Sequence, residues 1–170
     1  MSHLVTIALR LKTLTENLLT DVQGDSANSA IGTVNRASQI PTVRLRKRRA
    51  SRGREDEELM RINEGVTIVP MDPVRSLGTN DRDGVGYRFL IAIVQGTETD
   101  EIDASWAVPI WEQAIRRRFH NKRLGSLSLA NGCELRTDVK PGSQPKWALV
   151  EGIDARFLVL TEYVRESRRD

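Results

Sequence analysis

Two histidines, His3 and His120, and one cysteine, Cys133, are the whole stock of imidazole and thiol in this sequence of 170 residues. A nucleophile or general base works only with a partner in hydrogen-bond reach. His3 stands at the terminus, and His120, between Phe119 and Asn121, falls at the basic end of a helical pattern. It reads as a surface helix-end residue, with general base the second reading. Cys133 alone can form neither an intrachain disulfide nor a thiolate zinc site, and reads as a small core residue. Asp81 and Asp83, or Asp100, Glu101 and Asp103, offer oxygen ligands for a hard cation but match no cation-loop spacing, so they read as solvated acids. Gly84-Val85-Gly86 precedes a strand pattern, whereas phosphate-binding glycine loops follow a strand and open a helix. It is read as turn chemistry. No nucleophile, base and orienting group can be named together. The expectation is a protein that is not an enzyme, with no catalytic, metal or cofactor-binding residues.

The strongest chemical signal is charge. Arg44, Arg46, Lys47, Arg48, Arg49, Arg52 and Arg54 crowd one short segment of a chain whose net charge is +3, so the remainder is mildly acidic. Glu55, Asp56, Glu57 and Glu58 follow at once and can neutralise part of the run. Such a run can bind phosphate by counterion release. No aromatic residue lies between Ile40 and Tyr87 to stack on bases, which argues against a single-strand binder. Arg48-Arg49-Ala50-Ser51 fits a basophilic kinase consensus, but that tetrapeptide arises by chance in any Arg-rich stretch. A subunit interface ranks first, because arginine suits planar, bidentate pairing with carboxylates on a neighbour.

The elements that must position these groups follow from periodicity. A length of 170 residues with 39% hydrophobic content is enough to close one core, so one domain over 1–170 is expected. Ile7, Leu11, Leu14, Leu18 and Val22 form one helical stripe, with Ser2 to cap the helix and Gly24 to stop it. Residues 24–54 read as a loop and basic arm in which Pro41 to Arg46 alternate as a half-buried or edge strand. Glu55 to Asn63 reads as a short helix with acids in its first turn, ended by Gly65. Val66 to Val69 and Tyr87 to Val94 read as a strand pair, joined over residues 71–86 by an extended hairpin loop with a mobile tip. Ile102 to Arg123 carries Trp106, Ile110, Trp111, Ile115 and Phe119 on one side, and Pro109 means that the helix either starts near Ala107 or kinks there. Cys133 to Asp138, Trp147 to Val150 and Asp154 to Val164 read as strands separated by Lys140-Pro141-Gly142 and Glu151-Gly152, with a sheet edge here and a solvated tail over 165–170. The fold class is α+β: a single domain with an antiparallel or mixed β-sheet and two long helices packed on one face. The apolar runs are strand-sized, far short of the roughly 20 residues of a membrane-spanning helix. The N-terminus lacks a basic n-region and cleavage site, which predicts synthesis ending in the cytosol.

Glu57-Glu58-Leu59-Met60-Arg61-Ile62-Asn63-Glu64-Gly65-Val66-Thr67-Ile68-Val69-Pro70 resembles an acidic helix leading into a V-T-V-V-P-like strand. With the strand Tyr87 to Val94, the helix Ile102 to Phe119 and the last strand Arg156 to Val164, the order resembles the tail terminator or tail-completion (minor tail) proteins of tailed bacteriophages. The Arg-rich run and residues 24–39 depart from that pattern. The resemblance implies a hexameric homo-oligomeric ring in the virion tail or neck, assembled in the host cytoplasm. It would cap the tail tube, end its polymerisation and present a joining surface to the head connector.

The implied partners are further copies of the chain, the tail tube protein and a head connector or neck protein, with a passing contact with viral DNA and no membrane. A heterologous ring closes when each subunit offers a different patch to each neighbour. The expected interface residues are the run just named, then Asp72, Arg75, Asn80, Asp81 and Arg82 of the loop, and Arg117 and Arg118 of the second helix. A head-completion or neck adaptor role is the alternative within virion assembly. From another class, a small basic nucleic-acid-binding protein fits the pI of about 9.3.

Overall fold

Ile7, Leu11, Thr15 and Leu19 recur every fourth residue and form the buried side of α1 (His3–Gly24). The computed structural model describes residues 3–24, 42–46, 65–76, 82–96, 107–125, 132–144 and 153–167. Ala8 joins the buried side, while Leu14 and Leu18 of the expected stripe pack along its flank. Pattern reading passes over Thr15 as polar. Its hydroxyl donates to the Leu11 carbonyl at 2.7 Å, so the side chain is satisfied within its own helix and can lie in the core.

Among the described residues the sheet has six strands: β1 (Val43–Leu45), β2 (Gly65–Pro70), β3 (Val74–Ser76), β4 (Arg82–Gly96), β5 (Gly132–Pro141) and β6 (Ile153–Ser167). Their order is β1-β2-β4-β6-β5, with β3 also on β4. β1 runs parallel to β2, with Val43 beside Val66, and every other pairing is antiparallel, so the sheet is mixed. Residues 46–64 join β1 to β2, long enough for the crossover a parallel pair requires. The expected helix over Glu55 to Asn63 lies outside the described residues, as does the expected strand Trp147 to Val150.

The central pair, β4 and β6, is in register over its whole length, from Arg82 opposite Ser167 to Gly96 opposite Ile153. At about 3.4 Å per residue it spans roughly 50 Å. The period of two divides it cleanly. Val85, Tyr87, Phe89, Ile91 and Ile93 of β4 and Leu158, Leu160 and Val164 of β6 face the core built with the helices. Ala92, Val94, Ala155 and Phe157 make a smaller cluster on the reverse face. α2 (Ala107–Phe119) contributes Val108, Trp111, Ile115 and Phe119 to the first cluster, so both helices pack on one face, as expected. Pro109 falls in the first turn of α2, where its missing N–H leaves no helical bond unmade, which settles the choice between a start near Ala107 and a kink.

Five expectations are corrected. Residues 71–86 are not one hairpin loop: β3 pairs with the start of β4, Val74 opposite Gly86 and Ser76 opposite Gly84. Gly84-Val85-Gly86 is accordingly strand interior, not a turn. A Cβ on Gly84 would stand 2.6 Å from the Ser76 hydroxyl, and one on Gly86 would stand 3.0 Å from Thr161 Cγ2, so these glycines serve close approach across the sheet. Lys140 and Pro141 end β5 rather than separate strands, on a strand at one end of the sheet order, where proline is tolerated. Arg165 to Ser167 belong to β6, held opposite Gly84 to Arg82, instead of opening a solvated tail. Cys133 is exposed, because β5 alternation places it opposite Arg165 and away from the helices.

Candidate functional site

The expected interface residues fall in separate places. Arg44 lies in β1 opposite Thr67, and Arg46 just beyond it donates its amide to the Ile68 carbonyl at 2.9 Å, at the end of the sheet beneath α1. Asp72 follows β2, Arg75 is exposed on β3 and Arg82 opens β4. Arg117 and Arg118 stand on the last turn of α2, over the other end of the sheet; the Arg118 guanidinium lies 5.5 Å from the Phe119 ring centre. Lys47, Arg48, Arg49, Arg52, Arg54, Asn80 and Asp81 lie outside the described residues.

Two polar clusters, one half-buried and one buried, were not legible as such. His3 Nδ1 at the start of α1 is 2.7 Å from Glu166 Oε1 near the end of β6, and the Tyr87 hydroxyl donates to the same oxygen. Burial would raise the Glu166 carboxyl, but hydrogen bonds from Tyr87 and His3, with the charges of His3 and Arg75, outweigh it and hold the group below the ordinary range. Tyr87 is pushed up by burial and by Glu166, with Arg75 opposing. The cluster ties the helix start to the sheet. Four residues along β6 from Glu166, Glu162 is fully buried between Tyr87 and Thr137, and neither carboxylate oxygen has a hydrogen bond of normal geometry. Burial, then the neighbouring Glu134 carboxylate, pushes its pKa to about 9, so it is a neutral acid at pH 7.

The corner after α2 is rigidly built. Asn121 takes the left-handed conformation at φ 57°, as a helix C-terminus favours. The chain then bonds to β5: the Asn121 amide donates to the Thr137 carbonyl at 3.0 Å, and the Thr137 amide to the Lys122 carbonyl at 2.9 Å. The Thr137 hydroxyl, with one proton to give, lies within hydrogen-bond reach of the carbonyls of Phe119 and Lys122, and the Leu124 amide donates to Glu134 Oε1 at 2.5 Å. Thr137 lies just beyond the irregularity of β5 that begins after Glu134, a bulge that re-aims the strand toward this loop. His120 is exposed at the helix end, as expected; its Nδ1 accepts the Val139 amide at 3.2 Å, which leaves Asp138 at 3.5 Å a neighbour without a shared proton.

Around this corner Arg117, Lys122, Arg123 and Arg136 are exposed. Arg10 of α1 reaches in, its Nη2 3.1 Å from where a Gly125 Cβ would stand. Among the described residues, no group of three or more His, Cys, Asp or Glu could hold a metal, and no helix is long and apolar enough to cross a membrane. Of the acids considered as cation ligands, Asp83 lies in β4 opposite Glu166, and the others lie outside the described residues. No protein-family model matches the chain, and no curated protein matches it either.

Proposed function

We propose that this chain is a structural assembly protein that closes head to tail into a hexameric ring. The observation that carries this reading is the difference in build between the two ends of the sheet. One end is the three-residue strand β1, parallel to its neighbour; the other is the ten-residue, bulged and antiparallel β5. A heterologous interface needs two unlike patches on one subunit, and a rigid sheet holds such patches at a fixed angle, which is what makes a ring close at a definite number of copies. The resemblance to tail terminators gives the ring its task in this proposal: to cap a phage tail tube, end its growth and offer the opposite face to the neck.

The test is to add the purified protein to a cognate phage tail-tube protein as it polymerises and to measure tube lengths by electron microscopy. The proposal expects a cap at one tube end and a length distribution that shortens with added protein. Tubes of unchanged length with no density at either end would refute the terminator role. Rings that bind the connector and leave the tubes alone would move the protein to the neck.

A further inference from the structure

We infer that the corner formed by the end of α2, residues 120–125 and β5 is a binding surface for the phosphate backbone of duplex DNA, separate from the Arg44 to Arg54 run. Six cations lie on the elements that form it or reach it: Arg117 and Arg118 on α2, Lys122 and Arg123 in the loop, Arg136 on β5, and Arg10, which reaches Gly125 from α1. None of them forms an ion pair with a described residue, although three carboxylates lie in the same stretch of fold. Each of those acids is used elsewhere. Glu134 turns in to accept the Leu124 amide, Glu112 is shared by Arg116 and Arg156, and Asp138 sits 3.0 Å from Lys140 Nζ. Among the described residues, the corner's cations therefore stay unpaired because the nearby acids are engaged elsewhere.

Three features select duplex DNA among polyanions. The groups are mainly guanidiniums, whose planar fork matches phosphate oxygens. Their backbone is fixed beforehand by the bonds between residues 121–122 and Thr137, so little order is lost on binding. Phe119, the aromatic at this corner, is buried and supplies no stacking face, so the surface can follow a backbone but cannot hold unstacked single-strand bases. An acidic protein partner would want an apolar anchor, and among the described residues none of the exposed large apolar side chains, Val5, Leu9, Val74 and Tyr163, belongs to α2, residues 120–125 or β5. The inference assigns Arg117 and Arg118 to nucleic acid rather than to the ring contact, and it stands whether or not the ring forms.

The experiment is fluorescence anisotropy of a labelled duplex of arbitrary sequence, titrated with the full chain at several salt concentrations. The variants are the triple Arg117→Ala, Arg123→Ala and Arg136→Ala, the matching triple to Lys, and Arg46, Lys47, Arg48 and Arg49 to Ala. The Ala triple should weaken binding roughly tenfold or more and reduce the salt slope by about 2 to 3, while the Lys triple keeps most of both. All three positions are exposed, so thermal unfolding of the Ala triple should match the parent. Unchanged affinity in the Ala triple would overturn the inference, as would a loss confined to the variant of the run. Displacement of the duplex by polyglutamate at equal charge concentration would overturn it too, in favour of an acidic protein partner. Solution mass, read on the same samples, reports separately on the ring.

Discussion

Glu162 sits under both helices with no solvent exposure and no hydrogen bond of normal geometry, so its proton governs part of the stability. Its folded pKa of about 9 lies above the ordinary 4.5, so the folded chain holds the proton more tightly than the unfolded chain. Stability from this residue is therefore full below 4.5 and falls as pH rises toward 9, by at most about 1.4 kcal/mol per pH unit. The Glu162→Gln variant should show a flat unfolding free energy between pH 5 and 8 by urea titration, where the parent declines. A parent with no decline across that window would contradict the burial of an acid here. Glu166 has the opposite sign: its folded pKa is depressed, so its contribution is present above 4.5 and is lost as pH falls through the folded value. Glu166→Gln should therefore weaken the fold at neutral pH and leave a shallower acid limb. At Gly65 the backbone has φ 117°, and a Cβ would stand 2.5 Å from the Thr42 carbonyl oxygen that accepts the Val66 amide. Gly65→Ala is expected to cost about 2 kcal/mol or more, read as a lower urea midpoint, because both strain and clash oppose it.

The loop of residues 120–125 is an element in its own right, tied to β5 through Thr137. Replacing Thr137 by Val removes the one side-chain donor shared by the Phe119 and Lys122 carbonyls, which then keep only the amides of Lys122 and Thr137. The expected loss is about 1 to 2 kcal/mol, with faster hydrogen exchange at the Asn121 amide. Exchange unchanged at that amide would mean that the backbone bonds alone hold the loop. Helices were legible from spacing because each buries one face: Trp111, Ile115 and Phe119 lie where a period of 3.6 puts them. β3 and the first turns of β4 were not, because glycines that usually mark turns are here required by neighbouring strands, and only the fold brings Ser76 and Thr161 against them. Cys133 was misplaced for a related reason: cysteine is commonly buried, but the face it occupies is set by the register of β5 on β6.

At the scale of the whole molecule, the candidate surfaces depend on tertiary placement. The Arg44 to Arg54 run is visible in the sequence, whereas the α2 corner assembles Arg10, Arg117, Lys122 and Arg136 from two helices, a loop and a strand. Nothing in local spacing announces that gathering, nor the meeting of His3 with Glu166 across the length of the chain. What the sequence does carry is the alternation that fixes which sheet face receives the helices, and so which ends of the sheet remain to meet a neighbour.

The most direct test of the assembly account is the mass of the purified chain in solution, by multi-angle light scattering at low and at moderate salt. The account predicts a discrete species of six times the 19.1 kDa of one chain, or a monomer that reaches this mass only with tail-tube protein present. A chain that stays monomeric under all of these conditions would contradict it.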